Sequence, residues 1–447
     1  MLEGSINRKI LLFAIPIFFG QMLQQLYNVA DSVIVGNFAT KADLAAINSS
    51  GSFIFLLVGF FTGLFMGMGV IIGSKYGAGD YEAVSTAAHT GVTFALLMGL
   101  TFAGVGAIIT TPILHLMGTP ASVMPKSALY LRIYFLGGPG IVMYNVCCGI
   151  FQAMGDSRRP LIYLAIASVT NIGLDLLFIA HFGMGVEGAA IATVIAQTLS
   201  GSLVLINLMH VSGPHRISLR KLSIDRETLG NELRMGLPTG VQNSVVAISN
   251  VVVQSHINFF GPDAMAGCGS YFKIEGFVFL PIMAFSMALT TFVSQNLGGG
   301  KRDRAEKGAH FGVVAGMGLA EVIGIVLFTF APQMLRIFSS DPDVIAFGVN
   351  QAHMETFFYL FLAYTNCMAG VLRGSGRTSV PMGVMLVCWC VVRVTYLTLI
   401  LPFFPRIYMV YIVYPFTWSL SSLILFIYGK IHDIYSTERL GIPAVAD

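Results

Sequence analysis

The chain has 447 residues, of which 55% are hydrophobic and only 11% are charged, and its formal net charge is +3 at pH 7. Soluble domains carry roughly 25% charged residues, and the mean hydropathy of +0.77 is typical of a protein that crosses a membrane several times. The composition therefore excludes a soluble enzyme with one anchor, and the small net charge gives no reason to expect nucleic acid as a partner.

Long apolar segments predict twelve membrane-spanning helices, since about 20 such residues cross a bilayer. The first six spans are expected at 10–38, 51–73, 88–111, 128–150, 161–182 and 186–208. The other six are expected at 235–260, 272–295, 310–331, 350–371, 382–402 and 406–428. We therefore expect an N-lobe at 1–209, a basic linker at 210–234, a C-lobe at 235–430 and a tail at 431–447.

The two halves repeat one another at an offset of 221 or 222 residues. Pro16 in the first span corresponds to Pro238, and the run GIFQAMGDSRRP at 149–160 returns as GVLRGSGRTSVP at 370–381. Six spans in each copy give both copies the same orientation in the membrane. The sequence therefore predicts two six-helix parallel repeats around a central cavity, with the working site between them.

Lysine and arginine predict the orientation, because they are enriched in cytoplasmic loops. The linker and the loops on its side of the membrane contain most of these residues, whereas the opposite loops contain few. Both termini of this multi-pass membrane protein are therefore expected to be cytoplasmic.

The first span contains an acid, Asp31, among apolar residues. A charge at the bilayer centre costs about 2.5–3.5 kcal/mol on insertion scales, so such residues usually face an internal cavity. Two interpretations are open: Asp31 is hydrated near the end of its span, or it has a partner inside the protein.

Spans five and six offer such partners. Asn171 and Asp175 are four residues apart and share a helix face, and Thr193 follows in span six. Together with Asp31 they supply two carboxylates, an amide and a hydroxyl, which suit a small hard cation such as Na⁺ or a shared proton. Two carboxylates in a low-dielectric pocket cannot both ionise cheaply unless a cation is bound. The alternative is four unrelated polar residues that solvate a cavity or pair helices.

The second half lacks this set, so the ion chemistry is expected in the first half. Its clear mid-span charge is Arg393, for which a structural pairing and a substrate role are both open. Glu275, at the expected start of span eight, is assigned to the membrane interface, and Glu355, near the end of span ten, is ambiguous.

Methionines, amides and aromatic residues suit a tolerant cavity for apolar and cationic ligands, although ordinary packing explains most of them. The residues proposed to line a substrate cavity are Gln21, Gln25, Tyr27, Asn28, Met154, Gln197, Met283, Met287 and Arg393.

Together these motifs resemble the multidrug and toxic compound extrusion (MATE) transporters. The resemblance rests on the repeats, on Pro16 and Asp31 in span one, on the loop GSKYGAGDYEAV with its repeat SQNLGGGKRDRA, and on Asn171-x3-Asp175. It covers essentially residues 8–430 and favours a DinF-like or related bacterial branch, because the strong C-lobe acids of other branches have no clear counterpart except Glu275.

The resemblance implies export of drugs or toxins by antiport against Na⁺ or H⁺ across a bacterial inner membrane. No cofactor is expected, and two repeats within one chain predict a functional monomer surrounded by membrane lipid. It implies that Asp31, Asn171, Asp175 and Thr193 form the cation site and that Pro16 lets span one bend. The alternative in the same superfamily of folds is a flippase or an exporter of a lipid-linked precursor or natural metabolite. A membrane-embedded enzyme has no support, since the sequence shows no metal-ligand cluster, phosphate loop or His/Asp pair in a span.

Overall fold

The computed structural model describes residues 1–440, apart from the side chains of residues 41, 48, 52 and 438. The described chain folds into helices that form twelve spans. Those of the first half are α1 (Ile6–Phe38), α2 (Lys41–Gly77), α3 (Tyr81–Leu116), α4 (Met124–Leu136 and Gly138–Ala153), α5 (Arg158–Asp175, continued by Leu176–His181) and α6 (Val186–His210). Those of the second half are α7 (Arg226–Asn258), α8 (Pro262–Gly298), α9 (Arg302–Leu335), α10 (Pro342–Glu355, Thr356–Phe358 and Tyr359–Gly374), α11 (Ser379–Met385, Leu386–Val392 and Arg393–Ile400) and α12 (Tyr408–Tyr411 and Val413–Ile431).

The prediction of an all-α protein with twelve membrane spans is confirmed. Among the described residues, nine helices are long and apolar enough to cross a membrane alone, and the two segments of α4 make a tenth span. The remaining two are α7, which begins with a charged segment, and α10, which is interrupted by a 3-10 turn. Eight of the predicted segments lie wholly within their helices, and the other four, in α5, α7, α11 and α12, pass one helix end by one or two residues. Most helices extend several residues beyond the predicted segment at one or both ends.

The repeat in the sequence returns as a repeat in helix shape. The fourth span of each half is broken: α4 bends by 50° around Gly137, and α10 is interrupted at Thr356–Phe358. The fifth span of each half contains a π-helical segment, Leu176–His181 in α5 and Leu386–Val392 in α11. Such segments are rare and often lie at functional sites.

The chain forms two compact units whose boundaries differ from those of the expected lobes. The first unit is Phe19–Gly236, and the second unit combines Met1–Phe18 with Leu237–Asp447. Both boundaries fall inside a continuous helix, within two residues of Pro16 in α1 and of Pro238 in α7. The first segment of α7 therefore packs within the unit built from the first repeat.

Two glycines allow this packing. A Cβ placed on Gly67 of α2 would lie 2.3 Å from the Cα of Gly236, and one placed on Gly236 would lie 2.3 Å from the carbonyl oxygen of Leu64. No side chain fits at this crossing, so the two helix backbones are in direct contact.

The linker also packs on the first unit, at what we call the linker end. The Ser218 N–H donates to His89 Nε2 at 3.0 Å, and the Asp225 N–H donates to Thr90 Oγ1 at 3.2 Å, both on α3. Ile217 is 1% exposed and belongs to the apolar core of this unit.

The tail is anchored to the second unit. Arg302 forms an ion pair of 2.9 Å with Asp433, and Arg377 Nη2 donates to the Asp433 carbonyl at 2.6 Å. Leu440 is 3% exposed, and the rest of the predicted tail, residues 441–447, lies outside the described residues.

Candidate functional site

Two carboxyl groups meet inside the first unit. Asp175 is fully buried at the end of the α-helical part of α5, directly before the π-helical segment, and Asp31 is partly buried on α1. The two side chains are close enough to interact directly. The structure thus gives Asp31 an acidic neighbour within the protein. This agrees with the interpretation that Asp31 has a partner inside the protein, and not with simple hydration near the end of its span.

Several buried polar atoms of this pair and of the neighbouring Asn171 lack hydrogen-bond partners within the described residues. Asp31 Oδ1, both carboxyl oxygens of Asp175, and Asn171 Oδ1 and Nδ2 are buried without a hydrogen-bond partner in the described part of the chain. Buried polar atoms are nearly always paired, so each exception requires an explanation. Four of these five atoms are oxygens that accept hydrogen bonds or coordinate a cation, and a proton or a hard cation would satisfy them.

Tyr27 links the carboxyl pair to a pocket. Its hydroxyl lies close enough to interact with Gln197 and interacts electrostatically with Asp31 and Asp175. The empty space in the pocket is about 210 Å³ when the open solvent at its mouth is included. The pocket is lined by Tyr27, Leu164, Ala167, Ser168, Asn171, Thr193, Ala196 and Gln197. The Thr193 hydroxyl donates to the Ala189 carbonyl at 3.0 Å, which leaves its oxygen lone pairs free to accept.

Two tyrosines belong to this site although the sequence analysis missed them. Tyr130 and Tyr134 lie four residues apart on the first segment of α4, and both are buried. Tyr130 interacts electrostatically with Asp31 and Asp175, and Tyr134 interacts with Tyr27. The only signal in the sequence is their spacing, which places both side chains on one helix face.

The other predicted cavity residues are dispersed. Gln21 and Gln25 are partly buried on α1, and Asn28 is exposed. Met154 lies at the end of α4 and packs against the apolar core at the linker end. The predicted residues of the second unit are Met283, which is exposed, Met287, which is partly buried, and Arg393, which is buried.

The second unit contains its own buried acids, and the interfacial position assigned to Glu275 is wrong. Glu275 is 4% exposed, and it is the fourteenth of the 37 residues of α8 because this helix begins at Pro262, ten residues before the predicted start. Glu355, fully buried at the break of α10, lies close enough to interact with it. Gln351 Nε2 donates to Glu355 Oε1 at 2.9 Å, and the hydroxyls of Tyr271 and Tyr359 are 2.6 Å apart beside the pair.

Arg393 is the cation of this second cluster. It is 1% exposed, and its Nη1 and Nη2 donate to Asn250 Oδ1 at 3.3 Å and Thr417 Oγ1 at 2.9 Å. Its guanidinium lies 4.7 Å from the Tyr414 ring centroid. It interacts electrostatically with both glutamates without forming an ion pair within 4.0 Å in the described structure. These contacts show that Arg393 has partners within the second unit, as expected for a structural pairing.

Replacing Arg393 with methionine should therefore destabilise the second unit. The change removes the positive charge near the two buried acids together with two hydrogen bonds, and hydrogen bonds that involve a charged group contribute about 1.5–3 kcal/mol. A lower midpoint of thermal unfolding in detergent is expected, and Glu355→Gln added to Arg393→Met should restore part of it. An unchanged midpoint for the single variant would show that Arg393 does not balance the acids.

Twelve spans in two repeats, with buried carboxyl pairs inside the spans and a pocket beside one of them, define the class of multi-pass membrane transporters. The MatE family profile matches residues 16–177 and again 238–398. The chain belongs to this family, the MATE transporters, and it is a transporter and not an enzyme.

Similar proteins support this membership. The chain is 27% identical to the probable multidrug resistance protein YoeA of Bacillus subtilis, over 98% of this chain and 96% of that protein. It is 25% identical to an FAD transporter of Shewanella oneidensis, over 77% of each chain. Among solved structures, a MOP superfamily transporter from Pyrococcus furiosus superposes with a TM-score of 0.91 at 22% identity, over 98% of each chain. The last similarity establishes the fold.

Proposed function

We propose that this protein is a cation-coupled antiporter that exports organic compounds from the cytoplasm. The observation that carries the proposal is the buried Asp31–Asp175 pair with unpaired oxygens beside an open pocket. Several relatives have names that describe multidrug resistance or export, among them YoeA and PmpM. Amphipathic or cationic drugs and toxins are therefore the expected substrates.

Asp31, Asn171, Asp175 and Thr193 are the proposed ligands of the coupling cation. If the cation is Na⁺, both carboxylates would be ionised and the ion would occupy the space among the unpaired oxygens. If it is a proton, the pair would share it, because two adjacent buried carboxylates repel each other. Tyr27 and Gln197 would then transmit occupancy to the pocket, since Tyr27 interacts with both carboxyls and with Gln197.

The membrane placement follows from the basic linker and loops. We propose an inner-membrane protein with the linker, the tail and both termini in the cytoplasm. Its working unit would be the monomer, since one chain contains both repeats, and its environment is membrane lipid.

Alternating access would require α1 to deform where it passes from one unit to the other. Pro16 lies next to that boundary, and a proline removes a backbone hydrogen bond from the helix interior. Pro16→Ala is expected to slow exchange several-fold while leaving the thermal midpoint unchanged or higher. Pro112→Ala, inside α3 and away from both unit boundaries, is the matched control, and equal exchange rates in the two variants would exclude a special role for Pro16.

The decisive test of function is reconstitution in proteoliposomes with a fluorescent organic cation. An imposed Na⁺ gradient and an imposed pH gradient are applied separately, and at least one of them should drive substrate against its concentration gradient. Failure of both gradients to drive any substrate would contradict coupled antiport.

A second candidate function is export of an anionic nucleotide-like metabolite, because one relative is named as an FAD transporter. A lipid-precursor flippase is a third. Substrate counterflow with FAD, a lipid-linked precursor and an organic cation would distinguish the three.

A further inference from the structure

A carboxyl group at the linker end of the first unit has no partner and no assigned role. Glu232, on the first segment of α7, is 0% exposed, and neither of its carboxyl oxygens has a hydrogen-bond partner in the described structure. Its Oε1 would lie 3.8 Å from a Cβ placed on Gly91 of α3, a position also contacted by Met68 Cε at 3.5 Å and Val146 Cγ2 at 3.6 Å. The buried carboxyl group therefore lies beside the backbone of α3 at Gly91, where the apolar side chains of Met68 on α2 and Val146 on α4 also converge.

No described charge compensates this acid. None of the ion pairs within residues 1–440 involves Glu232. Titratable and charged groups also lie toward the linker end of the surrounding elements and on α7 itself. They include Lys75 and Tyr76 on α2, Glu82 and His89 on α3, Tyr144, Cys147 and Cys148 on α4, His210 at the end of α6, His215, Arg216, Arg220, Lys221 and Asp225 on the linker, and Arg226, Glu227 and Arg234 on α7.

Three of these groups make their own contacts elsewhere. His89 contacts the Ser85 carbonyl through Nδ1 and accepts from the Ser218 N–H at Nε2. Asp225 Oδ1 accepts from the Thr228 N–H at 2.8 Å. His215 packs against the Phe151 ring.

An ionised carboxylate in such surroundings is strongly disfavoured, whereas a neutral carboxylic acid is tolerated. If the first segment of α7 separates from α3, water reaches the group and it can ionise. Proton binding by Glu232 and packing of this segment are then linked. As pH rises, the population of the packed arrangement relative to that of the separated arrangement falls by up to about tenfold per pH unit.

We propose that Glu232 is a proton-binding residue of the transport cycle, protonated while residues 226–236 pack on α2 and α3 and ionised when they separate. The proposal rests on the proposed function, because it assumes that the linker end opens during transport. Glu232 lies apart from the Asp31–Asp175 site, and its proton binding depends only on whether residues 226–236 are packed on α2 and α3. Its role is to make opening of the linker end sensitive to cytoplasmic pH.

His215 would act in the opposite direction, which allows the two effects to be separated. Burial and the nearby Arg159 cation lower the pKa of His215 below its usual value of 6.5. Because the pKa of His215 is lowered in the packed linker, neutral His215 stabilises the packed arrangement above pH 6.5. This stabilisation is lost as pH falls. Measurements between pH 7 and 9 therefore report on Glu232.

The test measures how fast a membrane-impermeant maleimide modifies a cysteine introduced at Leu233, which is partly buried next to Glu232. The rate is divided by that of Gly230→Cys, an exposed position on the same helix, to remove the pH dependence of thiol chemistry. Inside-out vesicles expose the linker end, and a protein without either substitution gives the background from native cysteines.

With Glu232 intact, the ratio should rise at least threefold between pH 7 and 9. Glu232→Gln, which imitates the protonated acid, should keep the ratio low and flat, and Glu232→Leu should do the same if the glutamine variant fails to fold. Glu227→Gln, at an exposed position on the same helix, should behave as the unmodified protein.

A pH-dependent rise that persists in Glu232→Gln would overturn the proposal, as would a high ratio at every pH in both the glutamine and the leucine variants. Asp31→Asn keeps the two proposals apart. Loss of coupled exchange in Asp31→Asn with an unchanged pH response in Glu232→Gln would refute only the role of Glu232. The reverse pattern would refute only the coupling site.

Discussion

Replacing Asp31 or Asp175 with asparagine should reduce gradient-driven export by roughly tenfold or more, because a hydrogen bond or ligand contact to a charged group contributes more than the 1.4 kcal/mol that corresponds to a factor of ten. The substrate concentration ratio across the membrane should fall to unity, since an amide cannot carry a proton and is a weaker cation ligand. The measurement is transport in proteoliposomes under the gradient that drives the unmodified protein.

Folding and function can be separated in these variants. An asparagine removes a buried carboxyl group that lacks donors, so the thermal midpoint should be unchanged or higher. Glu187→Gln, at an exposed position in the first turn of α6, is the matched control and should transport normally. Wild-type gradient-driven export by both asparagine variants would show that this pair is not the coupling site.

The second large effect is expected at the crossing of α2 and α7. Gly236→Ala places a Cβ 2.3 Å from the Leu64 carbonyl oxygen, which is backbone and cannot rotate away. The helices must separate, and overpacking of this kind costs about 1–3 kcal/mol or more. We expect a clearly lower thermal midpoint in detergent and lower transport, measured on monodisperse protein.

Gly230→Ala is the control for that substitution. It lies on the same helix with no atom within 4 Å of its Cβ position, so it should be neutral or up to about 1 kcal/mol stabilising. Gly67→Ala disturbs the same crossing, so its effect should combine non-additively with that of Gly236→Ala. Equal midpoints for the alanines at 230 and 236 would contradict the direct backbone contact.

The sequence was sufficient for the twelve spans, because span length and apolar content reflect the bilayer, and for the repeat, because its offset is nearly constant. It also identified Asp31, Asn171 and Asp175, since polar groups inside apolar runs are conspicuous. The structure brings Asp31 and Asp175 together, and their role in coupling stays a prediction.

Other features could not be predicted because they depend on tertiary packing. Hydropathy alone places Glu275 at the interface, because it does not reveal that α8 begins at Pro262. Tyr130 and Tyr134 are ordinary aromatic residues of a span until the position of Asp31 is known. The division of α1 and α7 between two units has no signal in composition, because it depends on which helices each segment contacts. Glu232 and Gly236 likewise look ordinary in the sequence until α7 is packed against α3 and α2.

That division has a consequence for how the chain could have arisen. Each repeat contributes the first part of its opening helix to the unit built from the other repeat, with both changes beside a matching proline. A single repeat folded alone would lack the opening segment that its unit takes from the other repeat. Two copies of a half-length ancestor would complete each other by reciprocal exchange of these segments, which is domain swapping. Fusion of the two genes would then preserve the exchange, so the present protein has the topology of a swapped dimer in one chain.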